Sequence, residues 1–192
     1  MTTTNPSVEA LLESVGLSPT FLDDLLHDSD WSFVIKTHAL FEAVLGSLIV
    51  RRLGAEAAAD AIANLDFNNT RSGKVAFARA LGLIDKEHVA FLRGLSELRN
   101  QLVHKVHNVT FTFANHIAGL TASDLKKFKT EFGYAICSLE NGEKEYSATL
   151  SRSPKTIVLL AAYRCLLNLQ FQITDRAKEI LIELLRTRTE SH

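Results

Sequence analysis

The sequence predicts an all-α helical bundle, and three observations lead there. Apolar residues recur at spacings of three and four along most of the chain. Capping residues precede most of these stretches, and glycine or a polar turn follows several of them. Only three of the 192 residues are proline, so little interrupts the helices. A hydrophobic share of 46% against 22% charged residues marks a globular chain, long enough to bury a large core as one domain or one domain with a helical appendage.

Taken in order, Val8 to Val15 and Pro19 to His27 form two short helices, the second opened by Ser18 with Pro19 in its first turn. They make residues 1–30 an N-terminal helical arm, ahead of a main helical domain over residues 31–192. Asp28-Ser29-Asp30 offers capping oxygens to a long helix from Trp31 to Leu53, stopped by Gly54. An alanine-rich helix covers Ala55 to Ala63, a polar turn falls at Asn68-Asn69-Thr70, and another helix runs from Ser72 to Leu83. Asp85 caps the helix from Lys86 to Val103. After it, Val109, Phe111 and Phe113 alternate with threonines, the pattern of a short extended segment or hairpin. A helix from Ser123 to Leu139 ends at Asn141-Gly142, and a polar loop continues to Ser153. Pro154 or Lys155 opens a long helix to Ile173, and Thr174-Asp175 starts a last one to Arg186.

Composition removes several function classes. The formal charge of -1 offers no broad basic face for coating nucleic acid. Two local clusters, Arg71, Lys74 and Arg79, and Lys126, Lys127 and Lys129, lack a helix-turn-helix setting and read as solvated surface, so direct DNA binding is unsupported. The run from Ile157 to Ile173 contains Arg164, Asn168, Gln170 and Gln172, which makes it a core helix and not a membrane span. Met1 to Ser7 is a small polar arm without a basic and apolar leader, so a cytoplasmic location is expected. Cys137 and Cys165 have no paired spacing and are expected to be reduced, buried thiols. His104, His107 and His116 lack the cysteine or carboxylate that would complete a zinc signature, and the glycines form no phosphate loop, so neither metal nor cofactor is expected.

The most informative stretch is Arg99-Asn100-Gln101-Leu102-Val103-His104, at the end of the Lys86 to Val103 helix. Arginine is always charged and can fork onto a phosphate, and histidine exchanges its proton near neutral pH. On a helical wheel Arg99 falls among Leu92, Leu95, Leu98, Leu102 and Val103, while Arg93, Glu97, Asn100 and His104 make a polar stripe along the flank. Arg99 and His104 point about 140° apart on an ideal helix. One copy therefore does not aim both at one phosphate, whereas two helices about a twofold axis can.

Arg99-Asn100 followed by His104 at the end of a bundle helix resembles the HEPN superfamily, whose signature is arginine, four to six residues, then histidine, often with a polar residue directly after the arginine. The stretch from Trp31 to Phe113 is also similar to the mannitol operon repressor (MltR-like) family, with Thr37-His38-Ala39-Leu40-Phe41-Glu42 on a long helix ahead of Leu98-Arg99-Asn100 and Val103-His104. The HEPN resemblance implies an HEPN-like bundle and metal-independent RNA cleavage, of toxin or defence type, at a composite site in a homodimer. His104 would take the proton of a ribose 2′-hydroxyl or give one to the leaving 5′-oxygen. Arg99 would hold the pentacoordinate phosphate through charge-assisted hydrogen bonds, and Asn100 would orient His104 or bond a phosphate oxygen.

Secondary candidates are Glu42 and His38, four apart on one helix face and able to form a polar pair in or near the site, or simply to tie two helices together. Lys105 and His107 add positive charge beside the motif, or are solvated turn residues. The alternative for the motif as a whole is structural. Arginine can anchor a carboxylate, asparagine can cap carbonyls and histidine can sit at the negative helix end. The protein would then be a non-catalytic regulator of the MltR-like kind or an interaction module. The partner would be RNA on the first reading, with an antitoxin as a further possibility, and a regulatory protein on the second.

Overall fold

Ser29 and Gly54 delimit the helix on which the rest of the bundle is assembled. The Ser29 hydroxyl accepts from the Ser32 amide at 3.2 Å, and Gly54, at φ 61°, closes the other end by donating to the carbonyls of Arg51 and Val50. The structure is a computed structural model and describes residues 8–104 and 106–189, with side chains at all of these except 106, 107, 173 and 175–189. Its described residues form helices and no strand: α1 (Val8–Ser14), α2 (Phe21–His27), α3 (Asp30–Leu53), α4 (Ala59–Ala63), α5 (Lys74–Ala80), α6 (Lys86–Val103), α7 (Phe113–Ala118), α8 (Ala122–Phe132), α9 (Tyr134–Cys137), α10 (Gly142–Arg152) and α11 (Pro154–Thr189). Short 3-10 turns at Glu56–Ala58 and Val106–Thr110 link α3 to α4 and α6 to α7.

α3 packs against α2, α4, α5 and α6, α6 lies along α8, and α11 covers α1, α9 and α10. Among the described residues α3 is the one helix long and apolar enough to cross a membrane by length and composition. Here its apolar residues serve the core instead, with Phe33, Phe41, Leu45 and Ile49 buried against Phe91, Leu92 and Leu95 of α6 and Ile157 of α11. Phe91 sits at the centre, its ring 5.3 Å from Phe41 and 6.0 Å from Phe132. The helices of the N-terminal arm join the same core through Val8, Leu11, Leu12, Leu22 and Leu25. Asp30 and Lys155 lock the entrance to α3: Lys155 Nζ donates to the Asp28 carbonyl at 2.6 Å and lies 3.3 Å from Asp30 Oδ1, while Asp30 Oδ2 accepts from the Phe113 amide at 2.8 Å.

Four expectations are corrected. The segment read as extended or hairpin is a 3-10 turn over Val106–Thr110 followed by α7. Thr112 has an extended backbone, and its hydroxyl caps α7 by accepting from the Asn115 amide. Three alternating apolar residues are too few to hold a strand that has no neighbour to pair with, and helix caps win. The polar stretch read as a loop to Ser153 is α10, which buries Tyr146 and Thr149 on one face after Asn141 turns the chain at φ 58°. The helix expected from Ser123 to Leu139 divides into α8 and α9 at Gly133. Finally, Thr174 does not cap a new helix. Its hydroxyl donates to the Gln170 carbonyl at 3.1 Å, and α11 runs through without a break.

Candidate functional site

Arg99 and Asn100 leave α6 on the side that faces α3 and the loop between α4 and α5. Together with Ser96 they form one wall of a polar cleft of ≈ 620 Å³. His38 and Glu42 of α3 form the second wall, and the loop from Asn64 to Asn69 forms the third. The helix spacing explains the first two walls: residues 38 and 42, and residues 96, 99 and 100, stand three or four apart and share a face.

The third wall is built by turn chemistry. Asp66 Oδ1 accepts from the amides of Asn68, at 2.8 Å, and Asn69, and Asn69 Oδ1 accepts from the amides of Arg71 and Ser72 at 3.0 Å. Gly73 is what lets this loop close on itself, because a Cβ there would stand 2.9 Å from the Asp66 carbonyl oxygen and closer still to the Asn69 backbone. The Asp66 and Phe67 carbonyls then accept from the amides of Lys74 and Val75. The loop is thereby stitched onto α5. Asn68 Oδ1 is buried at this wall without a hydrogen-bond partner among the described residues.

Two cations, Lys74 and Arg99, and the Glu42 carboxylate act on the His38 imidazole that lines the cleft. Lys74 is only 2% exposed; its Nζ donates to the Ala63 carbonyl at 2.9 Å and to Glu42 Oε1 at 3.4 Å. The other Glu42 oxygen lies 3.9 Å from His38 Nδ1. The His38 ring packs tilted against Phe67, with centroids 4.5 Å apart and 54° between the planes. Burial pushes the His38 imidazole below the usual histidine range, Arg99 and Lys74 push the same way, and Glu42 opposes them. Arg99 makes one side-chain hydrogen bond, from Nη1 to Asn100 Oδ1 at 3.1 Å, and pairs with no carboxylate among the described residues. It is a half-buried guanidinium with spare donors at the edge of a polar space.

The structure thus brings Arg99, Asn100, His38 and Glu42 together and leaves His104 apart. His104 is exposed at the C-terminal cap of α6, outside the residues that line the cleft. That end of α6 is pinned by Asn108, whose Nδ2 donates to the Gln101 carbonyl at 2.7 Å, and by Trp31, whose Nε1 reaches the Leu102 carbonyl at 3.5 Å. Lys105 and the His107 side chain lie outside the described residues.

Sequence reasoning missed the asparagine wall, Ser96 and the role of Lys74. The turn signal at Asn68-Asn69 was legible, but not that the turn folds back over α3 and α6. The sequence groups Lys74 with Arg71 and Arg79 as solvated surface, and the structure corrects this: Arg71 and Arg79 are exposed, whereas Lys74 is an interior cation. In the second basic cluster Lys127 is paired with Glu97 at 2.7 Å and Glu131 at 3.6 Å, and Lys129 is paired with Glu143. His116 rests between the rings of Phe111 and Phe128, and no three His, Cys, Asp or Glu side chains converge as a metal-ligand set among the described residues. Both cysteines are free thiols; Cys165 is buried as expected, while Cys137 is half-buried.

Comparison of the chain with protein-family models, curated proteins and solved structures gave no match.

Proposed function

We propose that the protein is a metal-independent endoribonuclease of the HEPN type, acting as a homodimer, whose cleft holds the scissile phosphate on Arg99 and Asn100. One observation carries the reading: a guanidinium with no carboxylate partner among the described residues borders a polar cleft of ≈ 620 Å³, room enough for a nucleotide unit. The guanidinium retains donors for an anion, and such hydrogen bonds strengthen as charge gathers on the phosphoryl oxygens in the transition state. RNA supplies its own nucleophile: the 2′-hydroxyl loses its proton and attacks phosphorus, the bond to the 5′-oxygen breaks, and that oxygen takes up a proton. The resemblance assigns the imidazole for this exchange to His104 of the partner subunit, and the exposed position of His104 at the end of α6 leaves it accessible to such a contact.

The test incubates structured RNA with the protein, with Arg99→Ala and with His104→Ala, all in EDTA. Cleavage by the unaltered protein that leaves 2′,3′-cyclic phosphate ends, and its loss in Arg99→Ala, is the expected result. Intact RNA after incubation with dimeric unaltered protein overturns the reading.

A second reading, a non-enzymatic regulator or interaction module, is favoured by a different feature. Leu160, Tyr163, Leu167 and Phe171 stand 41–55% exposed at helical spacing along α11, a stripe suited to a protein partner.

A further inference from the structure

Within one protomer the side chain opposite Arg99 across the cleft is not His104 but His38. We propose that His38 faces the phosphodiester held by Arg99 of the same protomer and is the catalytic base that takes the proton of the 2′-hydroxyl. The inference rests on the ribonuclease reading above and deepens it, because it places the base and the phosphate-binding arginine in a single copy of the chain.

Three observations converge on His38. It lines the same cleft as Arg99, Asn100 and Ser96, so a phosphate on Arg99 has this imidazole as a neighbour. Its ring packs against Phe67, tilted with centroids 4.5 Å apart, and Glu42 Oε2 lies 3.9 Å from Nδ1, a charge contact rather than a hydrogen bond. Glu42 is itself held by Lys74, which is anchored to the Ala63 carbonyl, so the carboxylate beside the imidazole is held from behind. A carboxylate beside Nδ1 favours the tautomer with its proton on Nδ1, which leaves the Nε2 lone pair free to accept one. A base must also be unprotonated before it acts. The charged groups facing His38 are Glu42 from α3, Lys74 from α5, Asp66 from the loop wall and Arg99 from α6. Burial above all, with the two cations and against the pull of Glu42, keeps the ring neutral near pH 7.

The step balances without a metal. His38 Nε2 takes the 2′-hydroxyl proton as the 2′-oxygen bonds to phosphorus. The bond to the 5′-oxygen breaks, and the leaving oxygen receives a proton from the imidazolium of His104 of the partner subunit. The products are a 2′,3′-cyclic phosphate and a 5′-hydroxyl, and proton exchange with water restores both histidines.

The experiment uses the full chain with 15N-labelled histidine and adenosine 3′-monophosphate as the probe. Titration is expected to shift the His38 ring resonances saturably and to raise their midpoint pH, because a phosphate dianion arrives beside the ring. Both effects should vanish in Arg99→Ala. In parallel, His38→Gln is expected to lower kcat at least 100-fold with little change in KM, and to remove the acid limb of the pH–rate profile. A merely structural histidine would leave that limb in place. His38 resonances that stay still at saturating probe overturn the inference, whether or not RNA is cut, and they do so on unaltered protein that needs no variant to fold. Absence of RNA cleavage by the unaltered protein overturns the ribonuclease reading itself, and the ring shift still decides whether His38 shares a phosphate site with Arg99.

Discussion

Replacing Lys74 by methionine separates the field of this interior cation from the space it fills. The ammonium lies 2.9 Å from the Ala63 carbonyl and 3.4 Å from Glu42. Methionine keeps most of the stem and removes only the charge. The orphaned carbonyl costs about 1–3 kcal/mol. The lost ion pair adds under about 1 kcal/mol, because the Glu42 side chain is 43% exposed and water screens it. Relief from burying an ammonium, with an apolar group in its place, returns about 1–2 kcal/mol. The net is a destabilisation of about 1 kcal/mol, or a drop in Tm of about 2–4 °C for a chain of this size. The second effect is diagnostic. With one of its two cationic neighbours gone, His38 should titrate at a higher pH than in the unaltered protein. Thermal melts and a histidine-resolved NMR titration measure both effects. A His38 midpoint that stays put or falls would show that Lys74 does not set the field of the cleft.

Other consequences are equally concrete. His38 and His88 are both held below the ordinary histidine value, chiefly by burial, so the unfolded chain takes up protons that the folded one refuses. Stability is therefore full above about pH 6.5 and falls as the pH drops from there towards 5, which urea titrations across that range would reveal. Phe91→Ala removes the ring at the centre of the aromatic core and is expected to cost about 3–5 kcal/mol in the same assay. Gly133→Ala would set a Cβ 2.6 Å from the Lys129 carbonyl oxygen and 2.8 Å from the Tyr146 ring. The resulting strain, about 1–3 kcal/mol, should exceed the gain in helix propensity of about 1 kcal/mol, and a lowered urea midpoint would register it.

Much of the architecture was legible because local signals and burial agree along it. Ser29 and Gly54 bracket α3, and Asp85 caps α6 by accepting from the amides of Glu87 and His88, as the sequence pattern implied. Where the pattern misled, a contact distant in sequence or a competing local bond decided. Thr174 looks like a cap until its hydroxyl finds the Gln170 carbonyl, and α10 looks like a loop until Tyr146 finds a place in the core. The site divides in the same way. Arg99 and Asn100 stood out by type and spacing, and Glu42 and His38 by sharing a helix face. No periodicity could show that the loop at Asp66–Asn69 would fold over them, or that Lys74 would be the buried cation behind Glu42. The angular separation of Arg99 from His104 was readable on an ideal helix, and the structure keeps them apart.

The most direct test of the account is the rate of RNA cleavage in EDTA by the unaltered protein, Arg99→Lys and Arg99→Ala, compared where all three show the same Tm. A guanidinium that grips the reacting phosphate predicts a graded loss, partial for lysine, which keeps the charge but not the fork, and about 100-fold or more for alanine. Equal rates in all three would contradict it.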